Sequence, residues 1–87
     1  MATFDAALVK EQGVTFAVVA VRPGVLEQPT RREQARARFS MGFGGVPVVL
    51  MEQDGSGRPR YSGRHDLVDF LANVFIEQLP WGKYQLN

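Results

Sequence analysis

Ser62, His65 and Asp66 bring a hydroxyl, an imidazole and a carboxylate into one short stretch, and His65 is the chain's single histidine. Nucleophilic triads draw their members from separate elements, so that the base bridges nucleophile and acid. Three residues in one turn do not meet that geometry. A lone histidine with no cysteine anywhere in the 87 residues is also a poor metal site, and without a thiolate there is no thiol-disulfide chemistry. The segment Ser62-Gly63-Arg64-His65-Asp66 reads instead as a turn into a helix N-terminus, where free amides serve either ordinary capping or an anion. No catalytic residue, metal site or cofactor is assigned.

A second chemical candidate is the run Arg31, Arg32, Arg36 and Arg38, with Arg22 upstream. These could form a basic face for phosphate, nucleic acid or an acidic partner. Against this, Glu27 and Glu33 are interspersed, no aromatic side chain interleaves to stack a base, and ten Lys+Arg against nine Asp+Glu leave a net charge of only +1. A solvated helix surface is the simpler reading, and nucleic acid is the disfavoured one. Gly42, Gly44 and Gly45 do not make a nucleotide loop, because no Gly-Lys-Ser/Thr follows and they lead into a strand.

The elements that must position these residues follow from apolar spacing. Phe4, Ala7 and Leu8 recur at helical intervals and Gly13 follows as a stop, which predicts a short helix over residues 3–12. Val14 to Val21 (VTFAVVAV) is almost continuously apolar and β-branched, as in a strand covered on both faces and paired in parallel. Arg22-Pro23-Gly24 ends it. Thr30 and Glu33 match a capping box, predicting a helix over 30–40 that buries Ala35 and Phe39. Val46 to Met51 predicts a second buried strand with Pro47 near its start. Asp54-Gly55-Ser56-Gly57 predicts a hairpin, and Arg58 to Ser62 its antiparallel return. Leu67, Phe70, Leu71, Val74 and Phe75 share one face of a final helix with Asp66 and Asp69 near its start. Pro80 stops it, leaving residues 80–87 as a tail whose Trp81, Tyr84 and Leu86 either fold back over the sheet or meet a partner. The order is α-β-α-β-β-α in one α/β domain, residues 1–79, with a three-stranded mixed sheet. Composition is that of an ordinary folded domain, and no apolar run approaches membrane-spanning length. With no basic leader at the start, the expected location is the cytoplasm.

The Gly-rich approach to Val46-Pro47, the hairpin, the Ser62-Gly63 turn and the acidic helix start together resemble glutaredoxins and their thioredoxin-fold relatives. KEQGVTFAVVAV is similar to the end of that family's first helix and its second strand. REQARARFSMGFGGVPVVLM is similar to the next helix and the strand bearing the cis-proline, and YSGRHDLVDFL to the W-S-G-F turn and last helix of the NrdH redoxins. The resemblance implies a thioredoxin-like (glutaredoxin-type) sandwich with a cis Val46-Pro47 bond. It implies a ligand groove formed by Val46, Pro47, Ser62, Gly63, Arg64, His65 and Asp66, where a peptide or a glutathione-like molecule pairs with the Val46 backbone. On that alignment the chain starts inside the family's first helix, without the first strand and the C-x-x-C motif.

The family's missing strand lies between the two parallel strands retained here. Direct pairing of Val14–Val21 with Val46–Met51 is favoured over a second chain filling the slot, with Tyr84 to Leu86 or a twin covering the open edge. The functional expectation is a non-catalytic binding or assembly module for a peptide, a glutathione-like ligand or a protein, as monomer or homodimer. The alternatives are a thiol-disulfide oxidoreductase whose C-x-x-C lies outside this chain and an Arg-rich nucleic-acid binder.

Overall fold

The computed structural model describes residues 2–11 and 13–86. Five strands form one mixed sheet: β1 (Ala2–Glu11), β2 (Val14–Ala20), β3 (Val48–Gln53), β4 (Pro59–Ser62) and β5 (Trp81–Leu86), with helices α1 (Pro29–Gly42) and α2 (His65–Leu71). The spatial order is β4-β3-β2-β1-β5. This is a ββαββαβ chain, which overturns the expected α-β-α-β-β-α order and three-stranded sheet.

The first correction is the helix expected over residues 3–12: residues 3–11 are strand, and residue 12 lies outside the described residues. Phe4, Ala7 and Leu8 fit helical spacing, but β1 is covered on both sides. Phe4 and Ala6 pack with the residues beneath α1, and Ala7 and Val9 with those beneath α2. A strand loaded on both faces shows no clean alternation, so its apolar positions mimic a helical stripe. Gly13, read as a helix stop, sits at φ 76° in the connection between the paired residues Glu11 and Val14. That left-handed backbone is a hairpin-turn conformation glycine adopts without cost.

The two apolar strands do pair directly and in parallel, Ala17 opposite Val48 and Ala20 opposite Met51. The crossover through α1 joins them. No slot for a missing central strand exists between them. The far edge of β2 is covered by β1, and β5 then pairs with β1, Trp81 opposite Ala7 and Tyr84 opposite Phe4. The tail therefore folds back as an edge strand two places from β2. Trp81 anchors it, donating its indole N–H to the Ile76 carbonyl at 2.8 Å.

Residues of β2 divide alternately between two cores. Phe16 and Val18 join Val49, Met51, Leu67, Leu71 and Leu79 on the α2 side. Ala17 and Val19 join Ala6, Leu26, Val48 and Leu50 on the α1 side, where Phe39 and Ala35 of α1 lie over them. The result is a small three-layer α/β domain.

Helix boundaries also shift. α1 starts at Pro29 with Gln28 as its cap residue, and no side chain caps it. Proline suits the first turn because its missing N–H has no helical partner there. The Thr30–Glu33 capping box is therefore not formed, and Glu33 pairs with Arg36 instead. α2 ends at Leu71, short of the expected Val74 and Phe75, and Asn73 donates its side-chain amide to the Asp69 carbonyl at 3.1 Å. Among the described residues, no helix is long and apolar enough to cross a membrane.

Candidate functional site

The residues singled out by resemblance gather at the end of the sheet where β3 begins. Ser62 is paired with Leu50 in the β3–β4 ladder, and Gly63 follows against β3. Among the described residues there is no cis peptide bond, so Val46-Pro47 is trans, the ordinary state of such bonds. The neighbouring backbone is already engaged. The Val46 carbonyl accepts the Ser40 hydroxyl at 2.8 Å, and the Pro47 carbonyl accepts the Ala17 N–H at 3.0 Å. Ser40, which the sequence did not bring forward, thus occupies the carbonyl a paired ligand would use.

Asp66 is held by Arg64, whose Nε and Nη2 donate to its two carboxylate oxygens at 3.0 and 2.7 Å. These hydrogen bonds hold the Asp66 carboxyl below its usual range. The carboxylate is thereby turned to Arg64, with His65 exposed beside it. Among the described residues, no group of three or more His, Cys, Asp or Glu could hold a metal ion.

A concavity lies at the opposite end, where β2 finishes. It has a volume of about 690 Å³, inside the roughly 300–1,000 Å³ range of small-molecule sites. Its apolar lining is Phe4, Ala20, Val21, Val25, Ala35 and Phe39; its charged lining is Asp5, Arg22, Arg31, Arg38 and Lys83. The rings of Phe4 and Phe39 are 4.8 Å apart, and Phe43 and Tyr84 pack behind Phe4 at 6.0 Å each. A crevice outside the carboxyl ends of parallel strands is where open α/β sheets commonly bind ligands.

The five arginines, weighed in the sequence as a possible basic face against a solvated helix surface, are divided by the fold. Arg32 donates to the Leu26 carbonyl at 3.1 Å, fastening the loop before α1, and Arg36 is paired with Glu33. Arg22, Arg31 and Arg38 all face the cleft, and among the described residues none has a carboxylate within 4.0 Å. On the wall formed by β1 and β5, Lys83 lies 3.0 Å from Asp5, a locally neutral pair. The cleft's uncompensated charge is therefore positive and sits on the α1 side.

The loop that carries Arg22 and Val25 is pinned from below. Glu52, buried on β3, accepts the N–H groups of Gly24 and Leu26 at 3.1 and 3.4 Å. Gly24 holds φ 97°, the left-handed backbone the turn requires. A second, smaller hollow of about 450 Å³ lies towards α2, sharing Asp5 and Ala20 and bounded by Trp81 and Glu77, with no cation in its lining. No family model matches the chain, and no curated protein or solved structure matches it.

Proposed function

We propose that this domain is a non-catalytic binding module whose ligand is an anion with an apolar portion, seated in the cleft at the end of β2. The observation that carries the proposal is the set of three arginines without carboxylate partners around an aromatic floor. Guanidinium groups supply fixed two-pronged donors for carboxylate, sulfonate or phosphate, and the low-dielectric floor strengthens them. A peptide or glutathione-like anion falls in this class. The chain has no cysteine, so the ligand would be held without thiol exchange. The order β2–α1–β3–β4–α2 supports a distant thioredoxin-like relation, with the ligand moved away from the Val46-Pro47 and Ser62–Asp66 end.

The test compares two probes with the same rings: 8-anilinonaphthalene-1-sulfonate, an anion, and N-phenyl-1-naphthylamine, which is neutral. In amide NMR titrations the anion should bind more tightly and shift Arg22, Val25, Arg31, Gln34 and Arg38. Equal affinities, or shifts centred on Val46, Ser62 and His65, would refute the proposal.

A further inference from the structure

We infer that the cleft takes a small dianion, with its two acidic groups about 10 Å apart and an aromatic body between them. This rests on the cleft being the binding site and goes on to name the ligand's chemistry.

Arg31 and Arg38 are seven residues apart on α1 and both line the cleft. At about 1.5 Å of rise per residue, seven residues place them two turns, about 10 Å, apart on one helix face. Ala35 and Phe39 lie on the same face and join Phe4 in the apolar floor. Arg22 adds a third cation from the loop after β2. The opposite wall contributes no net charge, because Lys83 and Asp5 cancel. Positive charge is therefore drawn out along the helix and separated by apolar surface.

That arrangement discriminates between ligands. A phosphate or a monocarboxylate can satisfy one end of the row, leaving the other guanidinium without a counter-ion and the aromatic floor uncovered. A neutral apolar molecule covers the floor and uses neither cation. A molecule with acidic groups at both ends and a ring system between them uses all three features. Its size also fits the roughly 690 Å³ available.

The experiment compares the monoanionic probe above with its dimer, 4,4′-dianilino-1,1′-binaphthyl-5,5′-disulfonate, by fluorescence titration at low salt. Wild type, Arg31→Gln, Arg38→Gln and the remote control Arg58→Gln are each titrated with both probes. The disulfonate should bind wild type and Arg58→Gln at least about tenfold more tightly than the monosulfonate, an increment of about 1.4 kcal/mol. Arg31→Gln or Arg38→Gln should each abolish most of that advantage. Because both side chains are exposed, the variants should keep wild-type circular dichroism. If the disulfonate has no advantage in wild type, or keeps it in both variants, the dianion inference is wrong. Monosulfonate binding that still falls on loss of the arginines would then leave the cleft standing as an anion site. Insensitivity of both probes to every arginine would remove both.

Discussion

The carboxylate of Glu52 accepts the backbone N–H of Gly24 from 28 residues away, at 3.1 Å, and so fixes the loop that carries Arg22 into the cleft. The same oxygen accepts Leu26 N–H, and Arg60 lies 3.8 Å from the other oxygen. Glu52→Ala would leave amides without a partner beside a new void, costing about 2–4 kcal/mol. The loss should register as a lower urea midpoint, with binding of the anionic probe weakened as the Arg22 loop loosens. Glu52→Gln, which keeps an acceptor oxygen, should lose less than the alanine variant.

Tyr61 buries its hydroxyl without a hydrogen-bond partner, and burial pushes its ionisation upward. Tyr61→Phe removes an unsatisfied oxygen and retains the ring that packs on the α2-side core. Stability should be unchanged or should rise by up to about 1 kcal/mol. A clear fall in the thermal midpoint would show that the hydroxyl has a partner in solution.

Gly63 is required by proximity. A Cβ there would stand 3.0 Å from Val49 Cγ2, 3.1 Å from Val49 Cα and 3.2 Å from the Val48 carbonyl oxygen. Two of these three are backbone atoms, which cannot swing aside, so Gly63→Ala should destabilise by about 1–3 kcal/mol. Thermal unfolding would measure it. A neutral result would mean that the β3–β4 pair separates with little resistance.

Asp54 organises the hairpin turn, accepting Ser56 Oγ at 2.6 Å, Ser56 N–H at 2.8 Å and Arg58 N–H at 3.0 Å. These hydrogen bonds, with that from Ser56 Oγ the strongest influence, hold its carboxyl below the ordinary 3.8. A depressed folded value means that the stabilisation is fully present above the unfolded value and is lost as pH falls through the folded one. A carboxyl carbon titration should therefore place Asp54 below 3.8, and Asp54→Asn should flatten the acid limb of stability in that window. A midpoint at or above 3.8 would contradict the turn geometry.

Much of the fold was legible where one residue type dominated. Val14 to Val21 announced a strand covered on both faces because β-branched side chains fill consecutive positions, and the structure buries Phe16 through Val19. Asp54 to Gly57 announced its turn through local chemistry. β1 was not legible as a strand, since Phe4, Ala7 and Leu8 sit at helical intervals and the real division, Phe4 and Ala6 against Ala7 and Val9, depends on two helices elsewhere in the chain. β5 was obscured because its strand character depends on finding β1 to pair with.

The site was half legible. Arg22, Arg31 and Arg38 stood out as charges, but nothing local distinguishes them from Arg32 and Arg36. The difference is tertiary: Arg32 reaches the Leu26 carbonyl and Arg36 reaches Glu33, while the other three face a hollow created by β1. With residues 3–12 read as helix, that hollow has no wall. Val46 and Pro47 drew notice through a resemblance whose ligand-facing carbonyl is here taken by Ser40.

The most direct test of the cleft as an anion site is the dissociation constant of 8-anilinonaphthalene-1-sulfonate for three proteins at low salt: wild type, the triple variant Arg22→Gln/Arg31→Gln/Arg38→Gln, and the charge-matched control Lys10→Gln/Arg36→Gln/Arg58→Gln. Each loses three positive charges, so long-range electrostatics are equalised and only position differs. The cleft variant should bind about tenfold or more weakly than wild type while the control stays within about threefold. Equal weakening in both variants, or none in either, would contradict it.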